Sequence, residues 1–335
     1  MDPQVSIVVV TSDRLVDLRR CLLSLRSHLR APGTPHAEVR TVHAPHDTAA
    51  MAMVRTEFPE VHVHTAGQRH ISVQRNLGAR AARGAVVVYL DDDAWPHPGW
   101  LSQLWQAFAD ERVVAASGPV QRGDGSMQCE RLASSPIGRL VPLTAGEALP
   151  VGFAPSFSGC NLALRRRTLF ACGGFDENLS YQPDDMDVTA RLFAHVGRDP
   201  GAFRYCDLAR VTHESSPGPY RRTLEDRAWF VVARDNLYYA CRHAGVVRGL
   251  LGGVALQLPK LGRFVTWWWH GKLGLRAALR CFAKHLLGTL AGLGKGLLRG
   301  PRLPLEPLPE APPSHDDGPE ALPAKEPSCR RPQPV

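Results

Sequence analysis

The sequence predicts an α/β fold in which a mainly parallel sheet is flanked by helices. Two continuous apolar runs rich in valine, Val5 to Val10 and Ala85 to Leu90, are typical of strands buried on both faces. Between them, leucines at three- and four-residue steps from Leu15 to Leu29 indicate a helix. Strands that alternate with helices favour a doubly wound, Rossmann-like sheet, in which ligands bind beyond the carboxyl ends of the strands.

Further elements continue this alternation. Weaker strand signals lie at Val39 to Val42 and at Val61 to Val63, and helical spacing is present from Val73 to Arg83. Another helix is predicted to begin at Asp184, because the apolar residues that follow share one helical face: Val188, Leu192 and Val196.

The composition is that of a folded protein with a polar tail. Of 335 residues, 44% are hydrophobic and 21% are charged, which is enough to bury one large core and excludes a disordered or fibrous chain. Eleven of the 28 prolines fall within residues 301–335, together with six acidic and four basic side chains. We predict a disordered tail there, because this segment cannot offset its ordering entropy by burial.

The net charge of +8 is concentrated in one segment. Residues 246–300 contain nine Lys and Arg residues and no Asp or Glu, so the remainder of the chain is close to neutral. The high pI therefore describes this segment, and we expect no nucleic acid as a partner.

Cysteine spacing and the N-terminal sequence both favour the cytoplasm. The eight cysteines include no Cys-x-x-Cys pair, which favours free thiols over disulfides or a zinc site. The chain runs from Met1 into a strand without the apolar core of a secretion signal, and no uninterrupted apolar stretch reaches the length of a membrane span. We therefore expect a cytoplasmic protein.

Three consecutive carboxylates follow the second buried strand: Asp91, Asp92 and Asp93. At the carboxyl end of such a strand they repel one another and lose hydration unless a cation is present. A divalent metal is one explanation, and a polar turn before Pro96 and Pro98 is the other.

A second acidic cluster, Asp184, Asp185 and Asp187, opens the predicted helix further along the chain. Acidic residues in a first helical turn are favoured by the helix dipole, so a structural role would explain this cluster alone. The combination of one cluster suited to a metal with another suited to supplying a base points instead to catalysis.

Four motifs link these clusters in a fixed order. They are VSIVVVTSDR, QRNLGARAARGAVVVYLDDDAWPHPGWL, SGCNLALRRRTLFACGGFDE and PDDMDVTARL, and they span residues 5 to about 215. Their order and spacing resemble those of the family 2 glycosyltransferases with the GT-A fold. The resemblance implies a catalytic domain over residues 1–245, with a nucleotide-sugar-binding half (residues 1–115) and an acceptor-binding half (residues 116–245).

The resemblance also implies a reaction. It implies inverting transfer of a hexosyl or deoxyhexosyl group from a nucleotide-diphosphate sugar to a glycan or lipid-linked acceptor, in bacterial-type cell-surface polysaccharide or glycolipid synthesis. It implies Mg²⁺ or Mn²⁺ as cofactor, because a divalent ion neutralises the leaving diphosphate. A single carboxylate accepts the proton of the attacking hydroxyl, so no nucleophilic residue is needed.

The acidic residues take roles from this resemblance. Asp91 and Asp93 resemble the ends of the family's Asp-x-Asp motif, in which the first contacts the donor sugar and the last holds the metal. Asp92 is the middle position, and a triple Asp leaves the choice of ligand open. Asp184 and Asp185 correspond to the family's Glu-Asp pair, whose second member is the catalytic base.

Donor contacts are implied at Thr11 and Arg14 after the first strand, and at Arg75 and Asn76 before the aspartate triplet. The acid-rich turn with which the family reads the nucleotide base is replaced here by VHAPHD. Either Asp47 at the end of this segment acts from a shifted position, or the base is recognised differently.

The remaining implied residues lie on the acceptor side and near the metal. Gly159 and Asn161, and then Gly173 and Gly174, correspond to the family's acceptor-side loops. His213 resembles a downstream histidine that helps to hold the metal or the diphosphate, although an isolated histidine is also common in a structural role.

Two other classes of protein stay open from the residues alone. A nucleotidyltransferase or a glycoside hydrolase is the alternative enzyme, although a hydrolase needs one protonated carboxyl and no metal at a diphosphate. A degenerate scaffold that binds nucleotide sugars without turnover is the non-enzyme alternative, and the presence of both acidic clusters disfavours it.

Residues 246–300 are predicted to form a basic, amphipathic helical extension that docks peripherally on the cytoplasmic face of an anionic membrane. The indoles of Trp267 to Trp269 suit the headgroup region. The alternative is that the apolar stripe of the extension packs on the catalytic domain or on a second subunit. This leucine stripe recurs at three- and four-residue steps: Leu275, Leu279, Phe282, Leu286, Leu290, Leu293 and Leu297.

Overall fold

The protein combines a central sheet with three long C-terminal helices. The structure is a computed structural model, and it describes residues 2–181, 183–214 and 229–308. The first half of the α/β part comprises β1 (Val5–Thr11), α1 (Leu15–Leu29), β2 (Ala37–His43), α2 (Thr48–Glu57), β3 (His62–Thr65), α3 (Ile71–Ala81), β4 (Val86–Asp91), β5 (Ala94–Pro96), α4 (Trp100–Ala107) and β6 (Ala115–Ser117).

The second half of the chain begins with short strands and ends with three long helices. Its elements are β7 (Val120–Gln121), β8 (Met127–Cys129), β9 (Leu132–Ser134), β10 (Leu140–Pro142), β11 (Ala154–Ser156), β12 (Leu162–Arg165), α5 (Arg166–Ala171), α6 (Asp184–His195), β13 (Phe203–Tyr205), β14 (Val211–His213), α7 (Trp229–Ala244), α8 (Val246–Trp269) and α9 (Leu275–Leu298).

The main sheet has seven strands in the order β13-β6-β12-β4-β1-β2-β3. β1 pairs in parallel with β2 and β4, β2 pairs in parallel with β3, and β13 pairs in parallel with β6. β12 runs antiparallel to both of its neighbours. The other strands form two small sheets, one in the order β5-β14-β7-β8 and one in the order β10-β9-β11. The mainly parallel sheet flanked by helices confirms the predicted fold class.

Both faces of the central strands are buried. Ile7 of β1 belongs to an apolar cluster with Leu18 and Leu22 of α1. Its neighbour Val8 belongs to a second cluster, on the opposite face, with Tyr89. Because successive side chains of a strand point to opposite faces, a strand between two apolar layers needs an unbroken apolar run.

The three C-terminal helices pack closely through small residues. A Cβ at Gly288 of α9 would lie 2.1 Å from the carbonyl oxygen of Phe230, and a Cβ at Gly292 would lie 2.4 Å from that of Arg234. α7 and α9 therefore approach at a distance that glycine permits and larger residues do not. α7 and α9 also share an apolar cluster with α8 around Trp229. The predicted domain boundary at residue 245 therefore stays a prediction.

The leucine stripe of the extension faces away from α7. Leu293 is half-buried, and the other members are between 36% and 59% exposed. The described part of the catalytic domain therefore does not cover this stripe, and the membrane surface and the second subunit both stay predictions for what does. At the end of α8, Trp268 and Trp269 are exposed, while Trp267 packs against Trp229 and Phe264.

The first residues of the predicted tail are part of the packed structure. Leu305 is buried, and its N–H donates to the carbonyl oxygen of Gly173 at 3.2 Å. The N–H of Arg302 donates to Asp176 Oδ1 at 2.9 Å. The prediction of a disordered tail otherwise concerns residues 309–335, which lie outside the described residues.

Two further features concern the described ranges alone. The cysteines there, from Cys21 to Cys281, are free thiols. No helix in these ranges is both long enough and apolar enough to cross a membrane.

Candidate active site

Two carboxylates and an imidazole converge beyond the carboxyl end of β4. Asp91 is the last residue of β4, and Asp93 follows in the turn to β5. β14 pairs with β5 so that His213 lies opposite Ala94, which places its imidazole beside Asp93. His213 Nε2 lies 3.0 Å from Asp93 Oδ1. One ligand atom each from Asp91, Asp93 and His213 lie within 4.8 Å of one another.

This cluster has the donor set of a divalent-metal site. Carboxylate oxygens are preferred ligands of Mg²⁺ and Mn²⁺, and imidazole is a common ligand of transition metals. Burial disfavours a charged imidazole, but hydrogen bonds to Asp93 and Cys160 outweigh burial and raise the pKa of His213 to about 11. A positive charge is thus favoured at this position, and the residues fit a divalent ion as well as a proton.

The middle aspartate of the triplet points to other partners. Thr11 Oγ1 donates to Asp92 Oδ2 at 2.8 Å. Arg14 Nη1 lies 3.0 Å from Asp92 Oδ1 and 2.7 Å from Asp93 Oδ2. Burial raises the pKa of Asp92 to about 7, although the charge of Arg14 opposes this rise. The geometry therefore favours Asp91 and Asp93 as metal ligands and gives Asp92 the role of anchoring Arg14.

A buried arginine joins the two acidic clusters. Arg75 Nη1 lies 2.5 Å from Asp184 Oδ2, and its Nη2 lies 3.3 Å from Asp91 Oδ1. Burial raises the pKa of Asp184, and the like charges of Asp185 and Asp91 add to this effect against the opposing charge of Arg75. A Cβ at Gly159 would lie 2.5 Å from Arg75 Nη2, so this glycine makes room for the guanidinium.

Asp185, at the start of α6, accepts hydrogen bonds from two backbone N–H groups. The N–H of Gly159 donates to Oδ2 at 2.9 Å, and the N–H of Met186 donates to Oδ1 at 2.8 Å. Burial raises the pKa of Asp185, although Arg75 and these two donors act in the opposite direction. A carboxylate with a raised pKa is a stronger proton acceptor, which suits a general base.

Two cavities meet at Asp91. The smaller cavity, of about 270 Å³, is lined by the predicted donor residues Thr11, Arg14 and Asp92. Asp91, Ile71 and Tyr181 line both cavities. The larger cavity, of about 530 Å³, includes five of the predicted residues besides Asp91: Arg75, Gly159, Asp184, Asp185 and His213.

Asn76, Gly173 and Gly174 support the site from the scaffold and are not among the residues that line these cavities. Asn76 Nδ2 donates to the carbonyl oxygen of Phe175 at 2.9 Å, and its Oδ1 accepts from the N–H of Phe175 at 2.8 Å. Gly173 and Gly174 have φ angles of 79° and 78°, a conformation that favours glycine. A Cβ at Gly174 would lie 2.6 Å from Asn76 Oδ1.

Asn161 and Asp47 are also buried in the scaffold. Asn161 Oδ1 accepts from Trp100 Nε1, and its Nδ2 donates to the carbonyl oxygen of Ala209, both at 2.8 Å. Asp47 Oδ2 lies 3.0 Å from His43 Nδ1. This engagement of Asp47 favours the second sequence-based alternative, in which the nucleotide base is recognised by other groups.

The cavities also include residues that sequence reasoning missed. Arg69 and Tyr181 line the smaller cavity, and Gln128 and Lys260 line the larger cavity. Gln128 Nε2 lies 3.1 Å from His213 Nδ1 and so helps to orient the imidazole. Arg69 lies just before α3, which carries the predicted donor residue Arg75, and this closeness in sequence could have revealed it. Gln128 lies in a three-residue strand and Lys260 in a distant helix, and neither belongs to a pattern that would reveal it.

A mainly parallel sheet with two acidic clusters and two adjoining cavities beyond its carboxyl edge is the arrangement expected of a glycosyltransferase with the GT-A fold. The chain matches the family described as Glycosyl transferase family 2 over residues 6–173, half of its length. It belongs to that family. It is 28% identical over 186 residues to the chondroitin synthase of Escherichia coli, a match that covers 46% of this chain and 26% of the synthase. The match thus spans about a quarter of that relative's length.

Three solved structures share the fold at low sequence identity. The mannosyltransferase PcManGT from Pyrobaculum calidifontis, in complex with GDP-Man and Mn²⁺, has a TM-score of 0.53 and 16% identity, covering 89% of this chain and 88% of that chain. GalNAc-T7 with UDP, GalNAc and Mn²⁺ has a TM-score of 0.53 and 16% identity, covering 71% and 47%. S. aureus TarS 1–349 has a TM-score of 0.52 and 15% identity, covering 89% and 81%.

Proposed function

We propose that this glycosyltransferase is a metal-dependent, inverting enzyme that transfers a hexosyl or deoxyhexosyl group from a nucleotide-diphosphate sugar to an acceptor hydroxyl. The observation that carries the proposal is the position of Asp91 between two cavities, where it forms a candidate metal site with Asp93 and His213 and shares the larger cavity with Asp185. Two of the three structural neighbours are complexes with Mn²⁺ and a nucleotide or nucleotide sugar, which supports the donor class. The similarity to chondroitin synthase supports a glycan acceptor, and we place the reaction in the synthesis of a cell-surface polysaccharide or glycolipid.

In this proposal the donor diphosphate occupies the smaller cavity. Arg14 faces it with a guanidinium held in place by Asp92 and Asp93. Asp91, Asp93 and His213 would hold Mg²⁺ or Mn²⁺. When bound, such an ion supplies positive charge that stabilises the leaving nucleoside diphosphate.

The acceptor hydroxyl enters the larger cavity and meets Asp185. Its oxygen attacks the anomeric carbon, the bond from that carbon to the phosphate oxygen breaks, and the hydroxyl proton passes to Asp185. Arg75 holds Asp91 and Asp184 in fixed positions on either side of its guanidinium. One displacement by an oxygen opposite the leaving group inverts the anomeric configuration.

A panel of nucleotide sugars tests this proposal on the full-length protein. Binding is followed by saturation-transfer NMR, and turnover by release of the nucleoside diphosphate, with Mn²⁺, with Mg²⁺ or with EDTA. We expect at least one donor to bind and to release its nucleotide in a cation-dependent manner. Undiminished release in EDTA, or no binding by any donor of the panel, would contradict the proposal.

We further propose that residues 246–300 dock the enzyme on the cytoplasmic face of an anionic membrane, where a lipid-linked acceptor would be available. α8 and α9 expose an apolar groove of about 180 Å³ that includes Val265, Trp268 and Leu279. Charge complementarity selects an anionic lipid surface as the occupant, because the extension has no acidic residue. Seven of its nine basic residues are exposed: Arg248, Arg263, Lys272, Arg276, Arg280, Lys284 and Arg299.

Sedimentation with vesicles tests this docking surface. The full-length protein is compared with a Leu279→Glu, Leu286→Glu double variant, since both side chains are exposed and their replacement spares the core. We expect the unmodified protein to sediment with vesicles of phosphatidylcholine and phosphatidylglycerol at low salt, and the variant to stay in solution. Equal sedimentation of both forms would refute the assignment, and a dimer broken by the same variant would reassign the stripe to a second copy.

A further inference from the structure

Helix α8 places a lysine in the wall of the larger cavity. Lys260 lines this cavity together with Asp185, Met186 and Asn236. It follows Pro259 in the middle of α8. The extension that bears the exposed apolar stripe thus also contributes a side chain to the cavity in which the acceptor reacts.

Lys260 lacks an acidic partner among the described residues. No carboxylate there lies within ion-pair distance of its ammonium group, and the nearby charge that acts on it is the cation of Arg263. Burial is the main cause that lowers the pKa of Lys260, and Arg263 adds to it. A half-buried ammonium group beside a cavity is costly without a counter-ion, so an anion in that cavity would be stabilised.

The other basic residues of the extension differ from Lys260 in their surroundings. Seven of them are exposed, and Lys295 donates to the carbonyl oxygen of Asn178. The proposed attraction to a membrane surface would explain the exposed ones, and packing explains Lys295. Neither reason explains a lysine that lines a cavity shared with the candidate base.

We propose that Lys260 binds an anionic group of the sugar acceptor, a phosphate or a carboxylate, and so determines which acceptors are used. The proposal rests on the proposed function, in which the larger cavity receives the acceptor. A phosphate would come from a lipid-linked acceptor presented at the membrane that α8 faces, and a carboxylate would come from an acidic sugar of a growing glycan. Both would pair with the ammonium group in the same way.

Three amphiphiles with the same alkyl chain distinguish these sources: octyl phosphate, octyl β-glucuronide and octyl β-glucoside. Their affinities for the full-length protein are measured by titration calorimetry with Mn²⁺ present and below their micelle concentrations. We expect octyl phosphate, octyl β-glucuronide or both to bind at least about tenfold more tightly than the neutral glucoside, which corresponds to about 1.4 kcal/mol. The tighter of the two anions identifies the source of the charge.

Variants of two lysines separate a specific contact from general attraction to the basic extension. Lys260→Met should remove the preference for the anion, and Lys260→Arg should retain most of it. Lys272→Met removes an equal charge from an exposed position of the extension and should leave the preference intact. Equal affinities for anionic and neutral probes, or a preference that survives Lys260→Met, would overturn the proposal.

The outcome is separable from that of the proposed function. Cation-dependent donor binding by the unmodified protein tests the proposed function alone. If donors bind but the anionic probes show no preference, the assignment of Lys260 fails and the proposed function stands. If the preference depends on Lys260 but no nucleotide sugar binds, the anion site stands and the proposed function fails.

Discussion

Replacement of Asp185 by asparagine should abolish sugar transfer and leave the fold and the donor affinity nearly intact. The carboxylate accepts one N–H bond on each oxygen, from Gly159 at 2.9 Å and from Met186 at 2.8 Å. An asparagine keeps the shape of this group, but its amide nitrogen has no lone pair to accept the proton of an attacking hydroxyl.

The magnitude follows from the role of the group. Loss of a general base lowers the rate by about 10²- to 10⁴-fold, or about 3–5 kcal/mol in activation free energy. The effect on stability is small because two contributions oppose each other. One N–H bond to a carboxylate is lost, at a cost of about 1.5–3 kcal/mol. The desolvation of a buried charge, which raises the pKa of Asp185, is relieved at the same time.

A neighbour in the same helical turn provides the matched control. Asp187 contacts Arg191 and His243 at 2.7 and 2.8 Å and is not among the residues that line the cavities. Burial disfavours its carboxylate, but these two partners outweigh burial and lower the pKa of Asp187 to about 2. Its ionised form therefore stabilises the fold above the usual aspartate pKa, and this stabilisation is lost as the pH falls towards 2.

The two variants should separate catalysis from stability. Asp187→Asn should lower the free energy of unfolding by about 2 kcal/mol at neutral pH and retain transfer by the folded fraction. Asp185→Asn should instead lose transfer and keep nearly the same free energy of unfolding. Transfer rates, donor dissociation constants and urea unfolding curves are measured for both. Substantial transfer by Asp185→Asn with unchanged donor affinity would refute the assignment of the base.

Three further predictions concern the metal, the pH dependence and the helical extension. Asp93→Ala should weaken cation-dependent donor binding by about tenfold or more, because it removes a candidate metal ligand and frees Arg14 from one of its partners. Titration calorimetry of the donor with and without Mn²⁺ measures this effect, and equal donor affinities of the unmodified protein in Mn²⁺ and in EDTA would contradict the metal role. The value of kcat/KM should fall on the acid side through a pKa above the usual 3.8, because burial raises the pKa of Asp185 and only its carboxylate accepts a proton; a profile that stays flat down to the usual aspartate range would exclude Asp185 as the base. Gly292→Ala should destabilise the packing of α7 on α9 by about 1–3 kcal/mol, because the new Cβ would lie 2.4 Å from the carbonyl oxygen of Arg234. Gly294→Ala, whose Cβ would meet nothing within 4 Å, should instead stabilise α9 by about 0.5–1 kcal/mol, and melting temperatures that shift together would refute the contrast.

Much of the fold could be predicted because long, regular patterns specify it. The prediction of a helix from Leu15 to Leu29 coincides with α1, and the predicted start of α6 at Asp184 is also observed. The helix predicted at Val73 to Arg83 lies two residues later than α3. The short strands β5, β7 and β14 escaped prediction, because two or three residues are too few to show a period of two.

The candidate site was predicted where chemistry and sequence position coincide. Asp91, Asp93 and His213 lie close together and Asp185 lines the larger cavity, while their roles stay predictions. Asn161 was less predictable, since an asparagine that ties a loop to the scaffold and one that binds a ligand look alike in sequence.

The helical extension shows a different limit of sequence patterns. The leucine stripe was visible, but the face of α9 that packs on α7 consists, apart from His285, of glycine, alanine and other small residues. Hydrophobic periodicity gives little weight to such residues, although they allow the closest approach of two helices. The direction in which the stripe faces therefore became clear only from the structure.

The anomeric configuration of the product decides whether transfer is a single displacement. A single displacement, with Asp185 as base and no nucleophilic residue, requires the product to have the opposite anomeric configuration to the donor. NMR of the glycoside formed by the unmodified enzyme, from the donor that the nucleotide-sugar panel identifies, measures this configuration. We expect inversion, and a product that retains the donor's configuration would contradict a single displacement.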